Sequence, residues 1–177
     1  MQLHTPSVLA RLADFDARLC VCLNRAARRR PVRRLFGLVS RLGDGVFWYT
    51  LMGVLLFLHG KQALGPVTHM ILVGLAGLLI YKWLKRVTGR PRPCDLHPTV
   101  ERGSDPLDQF SFPSGHTLHA VAFTLVALAY FPALAPLLVP FTVLVALSRV
   151  VLGLHYPTDV LAGAAIGYGV ATLSFAL

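Results

Sequence analysis

Apolar residues fall along this chain in two different patterns. Through residues 1–45 they recur three or four positions apart between arginines, at Leu9, Leu12, Phe15, Leu19, Leu23, Leu35, Phe36 and Leu38. That is the period of a helix with one apolar face, and it predicts one or two amphipathic helices lying on a membrane surface, interrupted at Pro31. From residue 46 onward the apolar positions merge into runs. The run 46–58 is shorter than the roughly 20 residues that cross a hydrocarbon core. It spans only if 42–61 takes part, with Lys61 snorkelling to the interface. Residues 63–84 make a fuller span ending in Tyr81, Trp83 and Lys85, residue types that favour an interface. Residues 117–131 and 133–154 form an apolar hairpin turning near Pro132 and Pro136. Residues 158–177 give a last helix, on which Gly163, Gly167 and Gly169 would admit a close neighbour. The pattern predicts an all-α fold: an integral membrane helical bundle of about five transmembrane helices with N-terminal interfacial amphipathic helices, a single domain over 1–177.

Composition agrees with lipid as the surrounding solvent, since 55% of the 177 residues are hydrophobic and only 14% charged, away from the balance of soluble domains. The expected location is a membrane, crossed several times. A formal charge of +9 would also suit a nucleic-acid binder. The basic residues, however, lie in two blocks, one before residue 45 and one between Lys82 and Arg102, and not along one recognition element. No nucleic-acid partner is therefore expected, and the blocks suit anionic headgroups and a phosphate site. Cys20, Cys22 and Cys94 predict no disulfide, because two are separated by a single residue and an odd thiol remains. The start of the chain lacks the basic, apolar and small-residue order of a cleaved signal, so the first hydrophobic helix is expected to act as its own insertion signal.

Residues 86–112 are too polar for the bilayer interior and long for a connection without a purpose. Three segments hold nearly all the remaining polar residues: Lys85 to Pro93, Pro113-Ser114-Gly115-His116, and Ser148-Arg149 through His155 to Asp159. If the third span starts near Ser114 and the fourth ends near Leu154, the hairpin returns all three segments to one membrane face. Lys85, Arg92 and Arg149 would then surround an anion, with arginine able to donate two parallel hydrogen bonds to it. The backbone N–H groups of Ser114 and Gly115 would add the positive end of a helix. Two histidines remain, enough for a nucleophile and an acid in displacement at phosphorus. Asp159, four residues after His155, could fix the tautomer of that imidazole. Singly, Arg149 could snorkel, Asp159 could cap a helix and Pro-Ser-Gly-His could open one. Together these residues put many ionisable groups at a membrane boundary, where charge is costly unless used.

The three segments, in this order and at these spacings, resemble the signature of the type 2 phosphatidic acid phosphatase superfamily over about residues 80–163. The resemblance implies that Lys85, Arg92, Ser114, Gly115 and Arg149 bind phosphate, that His155 becomes phosphorylated, that His116 is the general acid and that Asp159 orients His155. It also implies a lipid phosphate substrate and turnover without metal or other cofactor. Among lipid phosphates, the polyprenyl phosphates and diphosphates rank first, ahead of phosphatidate, phosphatidylglycerophosphate and prenyl-linked sugar phosphates. A vanadium haloperoxidase shares these motifs but is argued against by a small membrane-embedded chain. A non-catalytic lipid-phosphate binder or transporter would need only the cations. The side holding the N-terminus and the active-site loop carries sixteen of the seventeen Lys and Arg residues, which favours a cytoplasmic active site. Asp44, between two glycines, reads as a turn residue, and Asp95, Glu101, Asp105 and Asp108 read as solvated surface. His119 reads as a hydrogen-bonded helix histidine, and His4, His59, His69 and His97 have no assigned role. Oligomeric state is not legible.

Overall fold

A computed structural model of the chain describes residues 8–106 and 108–176. The first seven residues of the expected amphipathic segment, His4 among them, and the side chain of Leu9 lie outside the described residues. No strand occurs among those that are described, so the fold is all-α as the hydrophobic pattern implied.

Helix α1 (Val8–Asn24) and α2 (Arg30–Arg41) are joined by a 3-10 turn, Arg25–Arg28. The break thus comes just upstream of the position expected from Pro31. Pro31 instead occupies the first turn of α2, where its missing N–H leaves nothing unpaired and its fixed φ suits a helix start. One π-helical turn, Leu42–Val46, leads from α2 into α3 (Phe47–His59), and its Gly45 has φ 130°, a conformation that a side chain would strain. Helix α3 has 13 residues, about 20 Å at the rise of an α-helix. The π turn before it and a 3-10 turn after it (Gly60–Ala63) extend the helical path to 42–63. Helix α4 (Leu64–Thr88) follows, then a polar connection containing the single-turn α5 (Pro93–Leu96), then α6 (Gly115–Tyr130), α7 (Ala135–Val151) and α8 (Pro157–Ser174). Among the described residues two helical runs, 30–96 and Pro132–Val151, contain stretches long and apolar enough to cross a membrane; the first run includes α2 to α5.

Helix α6 is central, packed on α4, α7 and α8. Its contact with α8 is as close as backbones allow: a Cβ added at Gly163 or Gly167 would stand 2.4 Å from the carbonyl oxygen of Ser114 or Leu118. Gly169 does not share this role. It faces open space, because two residues along a helix turn it roughly 200° away from Gly167. An aromatic cluster joins α3 to α6 and α7, with Phe47 stacked on Phe141 at 3.9 Å between centroids and Trp48 against Phe123 at 5.3 Å. Outside the core, Phe57, Leu79, Leu161 and Leu173 project from α3, α4 and α8 with more than two thirds of their surface exposed, as side chains facing lipid would be.

The two ends of the bundle differ in chemistry. At one end His69 bonds the Tyr130 hydroxyl and Ser174, joining α4, α6 and α8. The other end gathers α1, α2, the polar connection and the turn 152–156, and there nearly all the ionisable residues meet.

Candidate active site

Lys85 lies on the last turn of α4, Arg92 at the start of α5, and Arg149 near the end of α7; all three are buried, with Arg92 and Arg149 only 2% exposed. Burying a cation without a partner costs several kcal/mol, so each partner matters. Lys85 Nζ donates to both carboxylate oxygens of Asp108, at 2.7 and 2.8 Å, and to the Phe110 carbonyl at 2.9 Å. Arg92 Nη2 donates to the same Asp108 carboxylate at 2.7 Å, and its Nη1 to the Leu154 carbonyl at 2.7 Å. Arg149 donates from Nη1 to the Ser40 hydroxyl on α2, while its buried Nε has no acceptor. One carboxylate therefore sits between two buried cations, beside a third with an unused donor. An anion with more oxygens than a carboxylate could engage donors of all three cations. Asp108 corrects the surface-solvation reading: the polar connection folds back so that this carboxylate enters the pocket.

His155 lies in the turn 152–156 at the floor of the same pocket, 1% exposed. Arg92 Nη1 stands 3.3 Å from its Nε2 and can donate to it only if that nitrogen carries a lone pair. The tautomer this selects has the proton on Nδ1. Nδ1 faces Asp159 Oδ2 at 3.7 Å and has no hydrogen bond of its own. Asp159 is thus beside the imidazole at ion-pair distance. Its oxygens are held more tightly elsewhere, by the Tyr156 N–H at 2.8 Å and by Arg90 Nη1 at 2.6 Å. Burial, then the positive charges of Arg149, Arg92 and Lys85, push the His155 pKa well below its ordinary value of 6.5. The imidazole is neutral at pH 7 and presents Nε2 as a lone pair among cations.

His116 occupies the first turn of α6, across the cavity, with its Nε2 against the Asp44 carboxylate. Asp44 was expected to be a turn residue; the π turn with its Gly45 kink aims it into the site instead. Ser114 caps α6: its hydroxyl accepts from the Thr117 N–H and pairs with the Thr117 hydroxyl at 2.9 Å. Its own N–H donates to the Asp159 carbonyl at 3.0 Å, so Ser114 docks α6 against α8 and does not aim an N–H into the cavity. The first-turn donors left for an anion are Gly115 and His116, and both residues line the cavity. His119 is the hydrogen-bonded helix histidine expected, its ring nitrogens 3.0 Å from the Gly115 and Gly74 carbonyls.

Two further residues escaped sequence reading. Arg90, between the motif positions Lys85 and Arg92, clamps Asp159 and also Asp16 of α1, at 2.7 Å, and lies over the Tyr156 ring. Asp16 is 2% exposed and accepts in addition from the Thr158 N–H. The cavity itself, which neither Arg90 nor Asp16 lines, has a volume of about 270 Å³ and runs from Lys85, Arg92 and Arg149 past His116 and His155 to an apolar wall that includes Trp48, Met52, Ile71 and Leu75.

The profile of the PAP2 superfamily matches residues 66–177. The chain belongs to the PAP2 superfamily. A lipid A 1-phosphatase of Rhizobium etli is 30% identical over 164 residues, 80% of this chain and 70% of that protein. The crystal structure of Aquifex aeolicus LpxE superposes with a TM-score of 0.75 at 28% identity, covering 90% of this chain and 94% of its own. The transmembrane PAP2-type phosphatidylglycerolphosphate phosphatase of Bacillus subtilis gives 0.73 at 25% identity, with 98% and 87% covered. Of the site residues expected from the sequence, Lys85, Arg92, Gly115, His116, Arg149 and His155 line one cavity of this PAP2 phosphatase, and Ser114 and Asp159 sit directly behind it. Helices α1 to α3, with Asp16, Ser40 and Asp44, precede the matched region.

Proposed function

We propose that this PAP2 protein hydrolyses the phosphate of a membrane lipid through a phosphohistidine at His155, without a metal ion, in a bundle whose five spans are the helices α3, α4, α6, α7 and α8. The observation that carries the reading is the pairing of Arg92 with Nε2 of a buried neutral His155, inside a ring of three cations.

The phosphoryl group takes the place of the Asp108 carboxylate between Lys85 and Arg92, and adds Arg149 and the first-turn N–H groups of α6. Its charge is then spread over donors fixed before it arrives, which is where electrostatic stabilisation of phosphoryl transfer comes from. The His155 Nε2 lone pair attacks phosphorus. The bond from phosphorus to the lipid oxygen breaks, and His116 gives that oxygen a proton. As the imidazole gains positive charge, the Asp159 carboxylate at 3.7 Å from Nδ1 closes to a hydrogen bond. Water then attacks the phosphohistidine, its proton passes to His116, and phosphate leaves with the P–N electrons returned to His155.

The apolar wall of the cavity offers a surface for the lipid tail next to the site of chemistry. Polyprenyl phosphates and diphosphates remain first in rank from the sequence. Lipid A and phosphatidylglycerophosphate join them as the substrates named for the relatives. The test is phosphate release by the detergent-purified protein from undecaprenyl diphosphate, lipid A, phosphatidylglycerophosphate and phosphatidate in excess chelator, beside His155→Ala. Release that survives the chelator and disappears in the variant is expected. Release that needs a metal, or that persists in the variant, would overturn the proposal.

A further inference from the structure

His116 stands among Lys85, Arg92 and Arg149, three side chains that repel a fourth positive charge. An imidazole in such company donates a proton well only if a carboxylate offsets the cations. The one against it is Asp44, whose Oδ1 contacts His116 Nε2 across 72 residues of sequence. Asp44 does not belong to the motifs or to the region that the superfamily profile matches. It is aimed by local backbone: the π turn Leu42–Val46 bulges between α2 and α3, and Gly45 takes a φ of 130°. Gly43, on the other side, is buried close against the Val145 side chain and the His116 ring. The turn is pressed onto the face of α6 that carries the histidine.

We propose that Asp44 is a positioning residue for the general acid: it holds Nε2–H of His116 and leaves Nδ1 as the nitrogen that delivers the proton. This rests on the reading of His116 as the acid. In the first step the Nδ1 proton passes to the departing oxygen as its bond to phosphorus breaks, and His116 is left neutral with its remaining proton on Nε2, bonded to Asp44. In the second step the attacking water returns a proton to Nδ1 as the P–N bond breaks. Asp44 stays a carboxylate throughout and stabilises the imidazolium that precedes the first step and follows the second. Among the described residues Nδ1 has no protein partner and is not sealed from the cavity, as the donor nitrogen requires.

The experiment measures kcat/KM of the detergent-purified full chain on two small probes of the same pocket. Phenyl phosphate has a leaving group that needs a proton. The nitrophenolate of p-nitrophenyl phosphate departs without one. Asp44→Asn is expected to lower kcat/KM on phenyl phosphate by about 10²-fold, the usual scale of lost general-acid catalysis, and on p-nitrophenyl phosphate by less than about fivefold. Asp44→Glu should recover a large part of the phenyl phosphate loss. Equal losses on both probes, or none on either, would overturn the assignment, the first by making Asp44 merely structural. His116→Ala separates this from the reading beneath it. If that variant shows no greater loss on phenyl phosphate than on p-nitrophenyl phosphate, His116 is not the acid, and the role of Asp44 falls with it.

Discussion

Arg90 joins the N-terminal helix to the buried carboxylate beside His155, and removing it tests whether that join is structural. Its guanidinium bonds Asp16, at 2.7 Å, and Asp159, at 2.6 Å, carboxylates that are 2% and 0% exposed. Arg90→Ala would leave both buried and without their cation. Breaking one buried pair costs about 3–5 kcal/mol. The Arg90 side chain is 28% exposed, so water can reach part of the vacated space, and the Tyr156 and Thr158 N–H groups still donate to the carboxylates of Asp159 and Asp16. About 3 kcal/mol is therefore expected, which for a chain of this size is about 6–12 °C in Tm. Asp16→Asn keeps a hydrogen-bonding group of the same shape and should cost only about 1 kcal/mol. The double variant should cost less than the sum, because the two residues share one contact. Thermal unfolding in detergent gives the magnitudes. Cys20 of α1, wholly buried against Val150 and Tyr156, gives the mechanism: in a Cys22→Ser, Cys94→Ser background, its labelling by a maleimide should accelerate in Arg90→Ala as α1 loosens. An unchanged Tm, or a loss of stability without faster labelling, would refute the claim that Arg90 fastens α1 to the site.

Three other outcomes follow from the geometry. Because burial and the neighbouring cations hold the His155 pKa well below 6.5, stability should decline as pH falls below 6.5, where the unfolded chain takes up a proton that folded His155 refuses; an unfolding midpoint that does not fall between pH 7 and pH 5 would contradict this. Asp108→Asn removes the internal anion from Lys85 and Arg92, so inhibition by orthovanadate should tighten by about tenfold, roughly 1.4 kcal/mol, and weaker inhibition would show that Asp108 does not compete for the site. Gly167→Ala puts a methyl group 2.4 Å from the Leu118 carbonyl oxygen and should destabilise by about 1–3 kcal/mol, read from the unfolding midpoint, while Gly169→Ala, facing open space, should not.

Much of the site was legible because a few residue types in polar segments had no use in a bilayer except chemistry. Lys85, Arg92, Arg149, His116 and His155 do converge, since a hairpin of two apolar helices has to return its ends to one face. The parts that were not legible are contacts between residues far apart in sequence. Asp44 and His116 are 72 residues apart, and Asp16 and Thr158 are 142. Nothing in Leu42-Gly43-Asp44-Gly45 distinguishes a π turn aimed inward from an ordinary turn aimed at water. Asp108 looked like surface because charge in a polar connection usually is, and only the fold brings it back to Lys85. Ser114 was misplaced by a smaller margin: the helix start was recognised, but which of its N–H groups are already taken depends on how closely Gly163 lets α8 approach.

A covalent intermediate on His155 is tested by trapping it. A radiolabelled lipid phosphate that the protein turns over is mixed with it for milliseconds, quenched in alkali, and the labelled peptide is identified. Phosphate that is stable in alkali, lost in acid, carried by His155 and absent from His155→Ala is expected. Label on a serine, an aspartate or His116, or turnover with no labelled protein at any time, would contradict it.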